Sequence, residues 1–240
     1  MIGESSQVVL SLVITAGIVL VIFSVIVWKI LQMKRRKAAR EDILHAAGFR
    51  EMPAPWTEYL ERIKQLQVNL QGSQLRLQAL FFRNDDNARF IYFDLLDTGG
   101  DETTWLGEGV LVQAPDLQLP RFFVLPWITK NEGAGSLLAN MSESFIQMLA
   151  GAMGMKLLPD MVAAGLPEQY RVLAIDVEST KQFLASHRLT IFGCLGDSLE
   201  LSAGGDAFLV KTSTFRKRMK KSDPFHELVK SSKAILSSIR

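Results

Sequence analysis

The sequence is poor in the residues that build covalent and metal-dependent sites. It contains one cysteine, Cys194, and three histidines among 240 residues. A lone cysteine excludes an internal disulfide and is typical of a reducing compartment. Because Cys194 lies in the apolar run 191–195, a packing role is favoured over a nucleophilic one. None of His45, His187 and His226 has a second ligand-type residue at metal-binding spacing, so no metal site and no cofactor are predicted.

The common catalytic and phosphate-binding motifs are also missing. The sequence contains no G-x-S-x-G nucleophile motif and no protein-kinase motif set. The glycine-containing segment 133–136 lacks the lysine and the spacing of a phosphate-binding loop, which favours a flexible connector. These absences predict that the protein is not an enzyme.

One long uncharged run is present near the start of the sequence. Residues 8–28 are predominantly apolar and contain no Asp, Glu, Lys or Arg. At a helical rise of ~1.5 Å per residue, this run spans roughly 31 Å, about the thickness of a bilayer core. The preceding residues 1–7 contain no Lys or Arg, whereas a secretory signal has a positive leader. The run is therefore predicted to be a transmembrane anchor and not a cleaved signal.

Positive charge follows the apolar run. Residues 29–40 contain six Lys or Arg and no acidic residue. The positive-inside rule then predicts a single-pass protein of the plasma (inner) membrane with its N-terminus outside and its C-terminal domain in the cytoplasm. The predicted organisation is a short external N-terminus over residues 1–7, a transmembrane helix over 8–28, a basic juxtamembrane stalk over 29–52 and a cytoplasmic α+β domain over 53–240.

Charge is segregated along the chain, although the net charge is only +2. Residues 41–210 are acidic overall, whereas residues 211–240 carry a basic cluster. Each Lys or Arg near an anionic membrane surface contributes about 1 kcal/mol of attraction. The side chains predicted to contact anionic lipid are Lys34, Arg35, Arg36, Lys37, Arg40, Arg216, Lys217, Arg218, Lys220 and Lys221. A solvated basic loop is the alternative for the second cluster, and the pattern disfavours nucleic-acid binding because few aromatic residues accompany the charges.

The patterning of apolar residues predicts strands and helices in separate runs. Apolar residues at helical spacing predict helices near residues 56–66, 142–153 and 224–239. A further helix is predicted near residues 179–187. Alternating apolar residues between positions 73 and 126, separated by short turns, predict an antiparallel β-meander of four strands. A turn signal within residues 199–210 predicts a later β-hairpin. This order of elements predicts the α+β fold class with packed helices.

One motif resembles a catalytic signature. Residues 95–100, LLDTGG, resemble the apolar-apolar-Asp-Thr-Gly signature of aspartic proteases. That chemistry needs two carboxylates that share a proton, so Asp97 would have to act in a symmetric dimer. Asp and Gly also satisfy the backbone of tight turns, so a hairpin loop is the favoured interpretation.

A second resemblance covers most of the chain. The resemblance rests on Phe93-Asp94 on a strand, the segment 117–126, the strand at 170–172 and the segment 197–201. In this order they are similar to a loose bacterial family of uncharacterised, single-pass membrane-anchored proteins, with the match running from about residue 45 onward. The resemblance implies a cytoplasmic α+β domain without assigned chemistry.

These patterns together predict a membrane-anchored, non-catalytic interaction or scaffold domain that faces the cytoplasm. Its predicted partners are the bilayer, including anionic lipid, and an unidentified protein. Two alternatives stay open. One is a membrane-tethered aspartic protease that uses Asp97 as a dimer. The other is a small-ligand sensor domain, which would require a deep apolar pocket with convergent polar groups.

Overall fold

The computed structural model describes eleven parts of the chain in two compact units, Met1–Arg50 and Glu51–Arg240. The described residues are 23–24, 28, 38–67, 74–99, 103–126, 144, 146–159, 165–167, 169–196, 199–213 and 224–240. In the first unit, residues 38–46 form helix α1. It ends before Gly48, whose φ of 81° lies in the left-handed region that favours glycine.

The second unit is built on an antiparallel sheet. The described strands are β1 (Arg50–Glu51), which spans the unit boundary, β2 (Leu75–Asp85), β3 (Ala88–Asp97), β4 (Thr104–Gln113), β5 (Leu119–Pro126), β6 (Lys156–Leu157), β7 (Tyr170–Ala174), β8 (Leu199–Gly205) and β9 (Ala207–Thr212). Their order across the sheet is β1-β2-β3-β4-β9-β8-β5-β7-β6. All neighbours from β2 to β6 are antiparallel.

Helices cover both faces of this sheet. They are α2 (Thr57–Leu66), α3 (residues 146–152), α4 (Val177–Leu195) and α5 (Pro224–Ile239). The ring of Tyr92 on β3 meets the ring of Phe225 on α5 edge to face, with centroids 5.5 Å apart. The next residue, Phe93, belongs to a buried cluster with Ile63 of α2. Because successive side chains of a strand point to opposite faces, α5 and α2 lie on opposite faces.

The face that carries α2 also carries α3. Phe123 of β5 belongs to a buried cluster with Ile146 of α3. Phe123 is paired with Ser202, and Ser202 is paired with Leu209, a member of the α2 cluster. Paired residues of antiparallel strands share a face. The core therefore has two apolar clusters on one face, and α4 and α5 pack together on the other.

The prediction of a transmembrane helix over residues 8–28 is wrong when judged by the length and apolarity of the described helices. Within the described ranges, no helix is long and apolar enough to cross a bilayer. Of the predicted span, only Phe23, Ser24 and Trp28 fall inside those ranges, and the remainder lies outside them. The fold class that placed this helix before the α+β domain, the description as a single-pass membrane protein and the inner-membrane localisation are corrected with it. Hydropathy reports only that apolar residues are contiguous, whereas a span also requires one continuous helix of about 20 residues.

The predicted four-strand meander is correct for three strands and wrong for the fourth. β2, β3 and β4 pair in sequence, but β5 pairs with β8 and β7 instead of β4. The β8–β9 hairpin, which the sequence predicted as a unit, is inserted between β4 and β5. β5 is consequently an interior strand, not an edge. Pro120 is tolerated there because it lies at the register shift between Leu119 and Phe122.

Candidate functional site

Three turns meet at one end of the sheet and line an open cleft of about 570 Å³. We call it the turn cleft. Its lining residues are Asn84, Asp85, Asp86, Asn87, Ala88, Arg89, Gln113, Ala114, Pro115 and Asp206. The sheet register explains why the turns meet. Gln113 is paired with Arg89 on one side and with Ala207 on the other, so three strand ends lie side by side.

The β2–β3 turn forms one wall of the turn cleft. Its central residues, Asp86 and Asn87, have φ values of 44° and 60°. A two-residue hairpin with positive φ at both positions is the geometry that suits the twist of antiparallel strands, and Asp and Asn tolerate it well. The sequence predicted this turn, but not that it borders a cleft.

Lys233 of α5 and Arg240, the residue directly after α5, hold this wall. Lys233 Nζ lies 2.8 Å from Asp85 Oδ2, and Arg83 Nη2 lies 2.7 Å from the same oxygen. The hydrogen bond from Lys233 is the main cause that lowers the pKa of Asp85. Seven residues after Lys233, the Nη1 group of Arg240 donates to the backbone oxygen of Asp86 at 2.6 Å. The hairpin tip is thus attached to α5 at two points.

Arg240 also contacts the opposite wall, which follows β4. Its Nε and Nη2 donate to the two carboxylate oxygens of Asp116 at 2.8 and 3.1 Å. The hydrogen bond from Arg240 is the main cause that lowers the pKa of Asp116. The turn containing Asp116 is also joined to the β8–β9 turn, because Ala114 N donates to Asp206 O at 2.9 Å.

Helix α2 holds the turn cleft from the other face of the sheet. Arg62 donates to the Asp206 carboxylate and, at 3.2 Å, to Gly204 O. Arg89 Nη1 donates to the Tyr59 hydroxyl at 3.0 Å, and Arg89 Nε donates to Asn84 Oδ1 at 3.2 Å. The three turns are therefore fixed by side chains from both covering helices.

Several polar groups of the turn cleft are left for solvent or a ligand. Within the described part of the chain, the side chains of Asp86, Asn87 and Gln113 make no hydrogen bond. Asp86 and Asn87 are exposed, and Gln113 is half-buried. Amides both donate and accept, and a carboxylate accepts. The lining contains no Cys, His, Ser, Thr or Tyr side chain. In the described ranges, no group of three or more His, Cys, Asp or Glu is placed to hold a metal ion.

Asp97, the residue singled out by the protease-like motif, is not part of the turn cleft. It ends β3, whereas the cleft lies beside the start of β3. Asp97 Oδ1 accepts from Gln74 N and from Gly99 N, both at 2.9 Å. Thr98 N donates to Gln74 O at 2.8 Å. One oxygen of the carboxylate thus binds the backbone just before β2 and just after β3.

The other residues singled out in the sequence are scattered. Of the ten predicted lipid-contact side chains, Arg40 lies in α1, and the other nine lie outside the described residues. Cys194 is half-buried in α4, where burial raises its pKa. Sequence reasoning did not find Arg62, Gln113 or Arg240, because their roles arise from contacts with residues far away in the sequence.

Comparison with known proteins gives little more. No family model and no curated protein matches the chain. A solved structure does. It is the crystal structure of the mycobacterial trehalose monomycolate transport factor A, TtfA, with 9% sequence identity, coverage of 84% of this chain and 92% of that chain, and a TM-score of 0.48. That protein is a distant structural neighbour, and its transport role is a statement about that protein alone. The resemblance to an uncharacterised bacterial family stays a prediction.

Proposed function

We propose that the unit Glu51–Arg240 is a non-catalytic interaction module and that a protein partner binds at the turn cleft. The observation that carries this proposal is that one group of residues holds the cleft walls in place and another group lines the opening. Arg62, Arg240 and Lys233 hold the walls from behind, while Asp86 and the neighbouring amides face the opening without internal partners. A preformed surface lowers the entropy lost on binding, because fewer side chains must be ordered by the partner.

The chemistry of the lining supports binding over catalysis. Catalysis by a serine, threonine or cysteine nucleophile needs a hydroxyl or thiol beside a base, and the described lining contains no hydroxyl or thiol side chain. The aspartic protease alternative needs a carboxylate that is available to a water molecule and a second carboxylate. Asp97 instead has an oxygen engaged by two backbone N–H groups.

The small-ligand alternative has less support. An apolar recess lies between α4, α5 and the sheet, lined by residues such as Phe122, Phe183 and Ile235. Its volume is about 10 Å³, which is close to the minimum for one water molecule. The turn cleft is large enough for a ligand, but it is open and polar, whereas small-molecule pockets are mostly apolar.

Site-specific photo-crosslinking in the full chain tests the proposal. A photoreactive amino acid is placed at Asn84, on the cleft wall, and in a matched control at Gln182, exposed on the outer side of α4. We expect one defined protein adduct from position 84 and not from position 182. The adduct should be lost when Asp86→Asn and Gln113→Ala are added, and kept when Glu178→Gln is added. Equal adducts from both positions, or none from position 84, would remove the turn cleft from the proposal.

A pair of substitutions at Asp97 separates the structural role from the protease alternative. Asp97→Asn keeps an acceptor oxygen for Gln74 N and Gly99 N, whereas Asp97→Ala removes it. We expect Asp97→Ala to lower the melting temperature more than Asp97→Asn does, since each lost hydrogen bond costs about 0.5–1.5 kcal/mol. Peptide cleavage by the unsubstituted chain that disappears in Asp97→Asn would reverse the proposal.

A further inference from the structure

The pairing of β3 with β4 ends where the turn cleft begins. Arg89 and Gln113 are the last paired residues of β3 and β4 at this end. Beyond them the β2–β3 turn and the segment Ala114–Asp116 continue separately. Their spacing is therefore not set by the pairing of β3 with β4, although Ala114 N still ties the second wall to Asp206 O of the β8–β9 turn.

Arg240 is the side chain that joins the two walls. Its guanidinium donates through Nε and Nη2 to Asp116 and through Nη1 to Asp86 O. A planar guanidinium with donors in a fixed fork can hold a carboxylate at two points and still reach a third acceptor. A lysine ammonium offers no such fork. The contact therefore fixes a distance as well as neutralising a charge.

The rest of α5 gives this contact a stable base. Lys233 lies two helical turns before Arg240 and binds Asp85 in the same hairpin. Leu236 and Ile235, between them, are buried in the core. The hairpin wall is thus fixed to α5 by Lys233, and Arg240 alone connects this helix to Asp116 among the described contacts.

We propose that Arg240 is a positioning residue that sets the distance between the two walls of the turn cleft and thereby the fit of the partner. The second half of this statement rests on the proposed function, and the first half does not. An ordinary surface ion pair would leave the spacing of the walls unchanged.

The spacing is measured by dipolar EPR between nitroxides on the full chain. One label is placed at Asn84 on the hairpin wall, and the other at Gln118, an exposed residue two positions after Asp116. Both are introduced in a Cys194→Ser background that removes the native thiol. The variants are Arg240→Ala and Arg240→Lys, and the control is Lys230→Ala, which changes an exposed basic residue of α5. We expect a longer and broader distance distribution in both Arg240 variants and no change in the control.

The outcomes separate this inference from the proposed function. Unchanged distances in folded Arg240→Lys would overturn the inference, whether or not a partner binds. Altered distances together with no adduct from position 84 would leave the wall spacing supported and count against the proposed function. If a partner is captured, its affinity should fall roughly three- to tenfold in Arg240→Lys, the equivalent of ordering one side chain on binding. Altered distances with unchanged affinity would overturn the link to partner fit.

Discussion

Lys211 Nζ lies 3.3 Å from Glu200 Oε2 across the β8–β9 pair, and both side chains are largely buried, with 14% and 2% of their surface exposed. The second carboxylate oxygen of Glu200, Oε1, is buried without a hydrogen-bond partner. The pair lies on the face of the sheet that carries α2 and α3, because Lys211 is paired with Gly109 and Gly109 with Phe93. An ion pair in such surroundings is held at a desolvation cost that its own attraction must offset.

Replacing one partner of this ion pair should destabilise the protein more than replacing both partners. Lys211→Met leaves a buried, uncompensated carboxylate and should destabilise the protein by about 3–5 kcal/mol. The double variant with Glu200→Leu should recover most of this loss, since a buried ion pair can be replaced by apolar residues at little cost. Urea unfolding followed by circular dichroism gives the three free energies. Additive effects of the two substitutions would contradict a coupled pair.

Two Gly→Ala substitutions should change the stability of the protein in opposite directions. A Cβ at Gly109 would lie 2.6 Å from Phe93 Cζ and 3.1 Å from Lys211 Cβ, so Gly109→Ala should destabilise by about 1–3 kcal/mol through overpacking. A Cβ at Gly193 of α4 would meet nothing within 4 Å. Gly193→Ala should stabilise by roughly 0.5–1 kcal/mol, because alanine loses less backbone entropy in a helix. Thermal melting of both variants provides the test, and equal signs would refute the packing argument.

The Tyr92 hydroxyl should contribute more to the free energy of unfolding than an exposed hydroxyl does. It donates to Glu108 Oε2 at 2.6 Å, and both residues are buried. Tyr92→Phe should cost about 1.5–3 kcal/mol, the range for hydrogen bonds to charged groups. Tyr59→Phe is the matched control, since its hydroxyl accepts from Arg89 at a more exposed site and its loss should cost within about 0.5 kcal/mol. Similar losses for the two variants in urea unfolding would argue against a special role for the buried bond.

Acid should weaken the attachment of the turn cleft to α5. Asp85 has a lowered pKa, mainly because Lys233 donates to it, and Asp116 has a lowered pKa mainly through Arg240. A carboxyl whose pKa is lowered on folding contributes stability above its unfolded value of about 3.9 and loses that contribution as the pH falls through its folded value. The melting temperature should therefore decrease as the pH is lowered below about 4.

Substitution identifies the carboxyl responsible for this acid sensitivity. Asp85→Asn should flatten the decline of melting temperature with falling pH, because the variant has no proton to gain at that position. Glu58→Gln, at an exposed position of α2, should leave the decline nearly unchanged. A decline of the same steepness in Asp85→Asn and in the unsubstituted chain would exclude Asp85 as its source.

Local signals in the sequence predicted much of the secondary structure. The final helix was predicted over residues 224–239 and is α5 (Pro224–Ile239), and the β8–β9 hairpin was predicted from its glycine turn. The helix predicted near residues 179–187 is longer, because α4 runs from Val177 to Leu195 with Asp176 as its N-cap. These features depend on residues close together in the chain, which is why patterning could find them.

The amino-acid sequence by itself determined the period of each segment and the chemistry of the Asp86-Asn87 turn. It did not determine which strand lies beside β4, because any extended backbone offers the same hydrogen-bonding groups to a neighbour. Only the tertiary structure decided that β9 lies beside β4 and β8 beside β5, and that no helix in the described ranges could span a membrane. It also brought Arg240 between Asp86 and Asp116, since that contact depends on how α5 packs on the sheet.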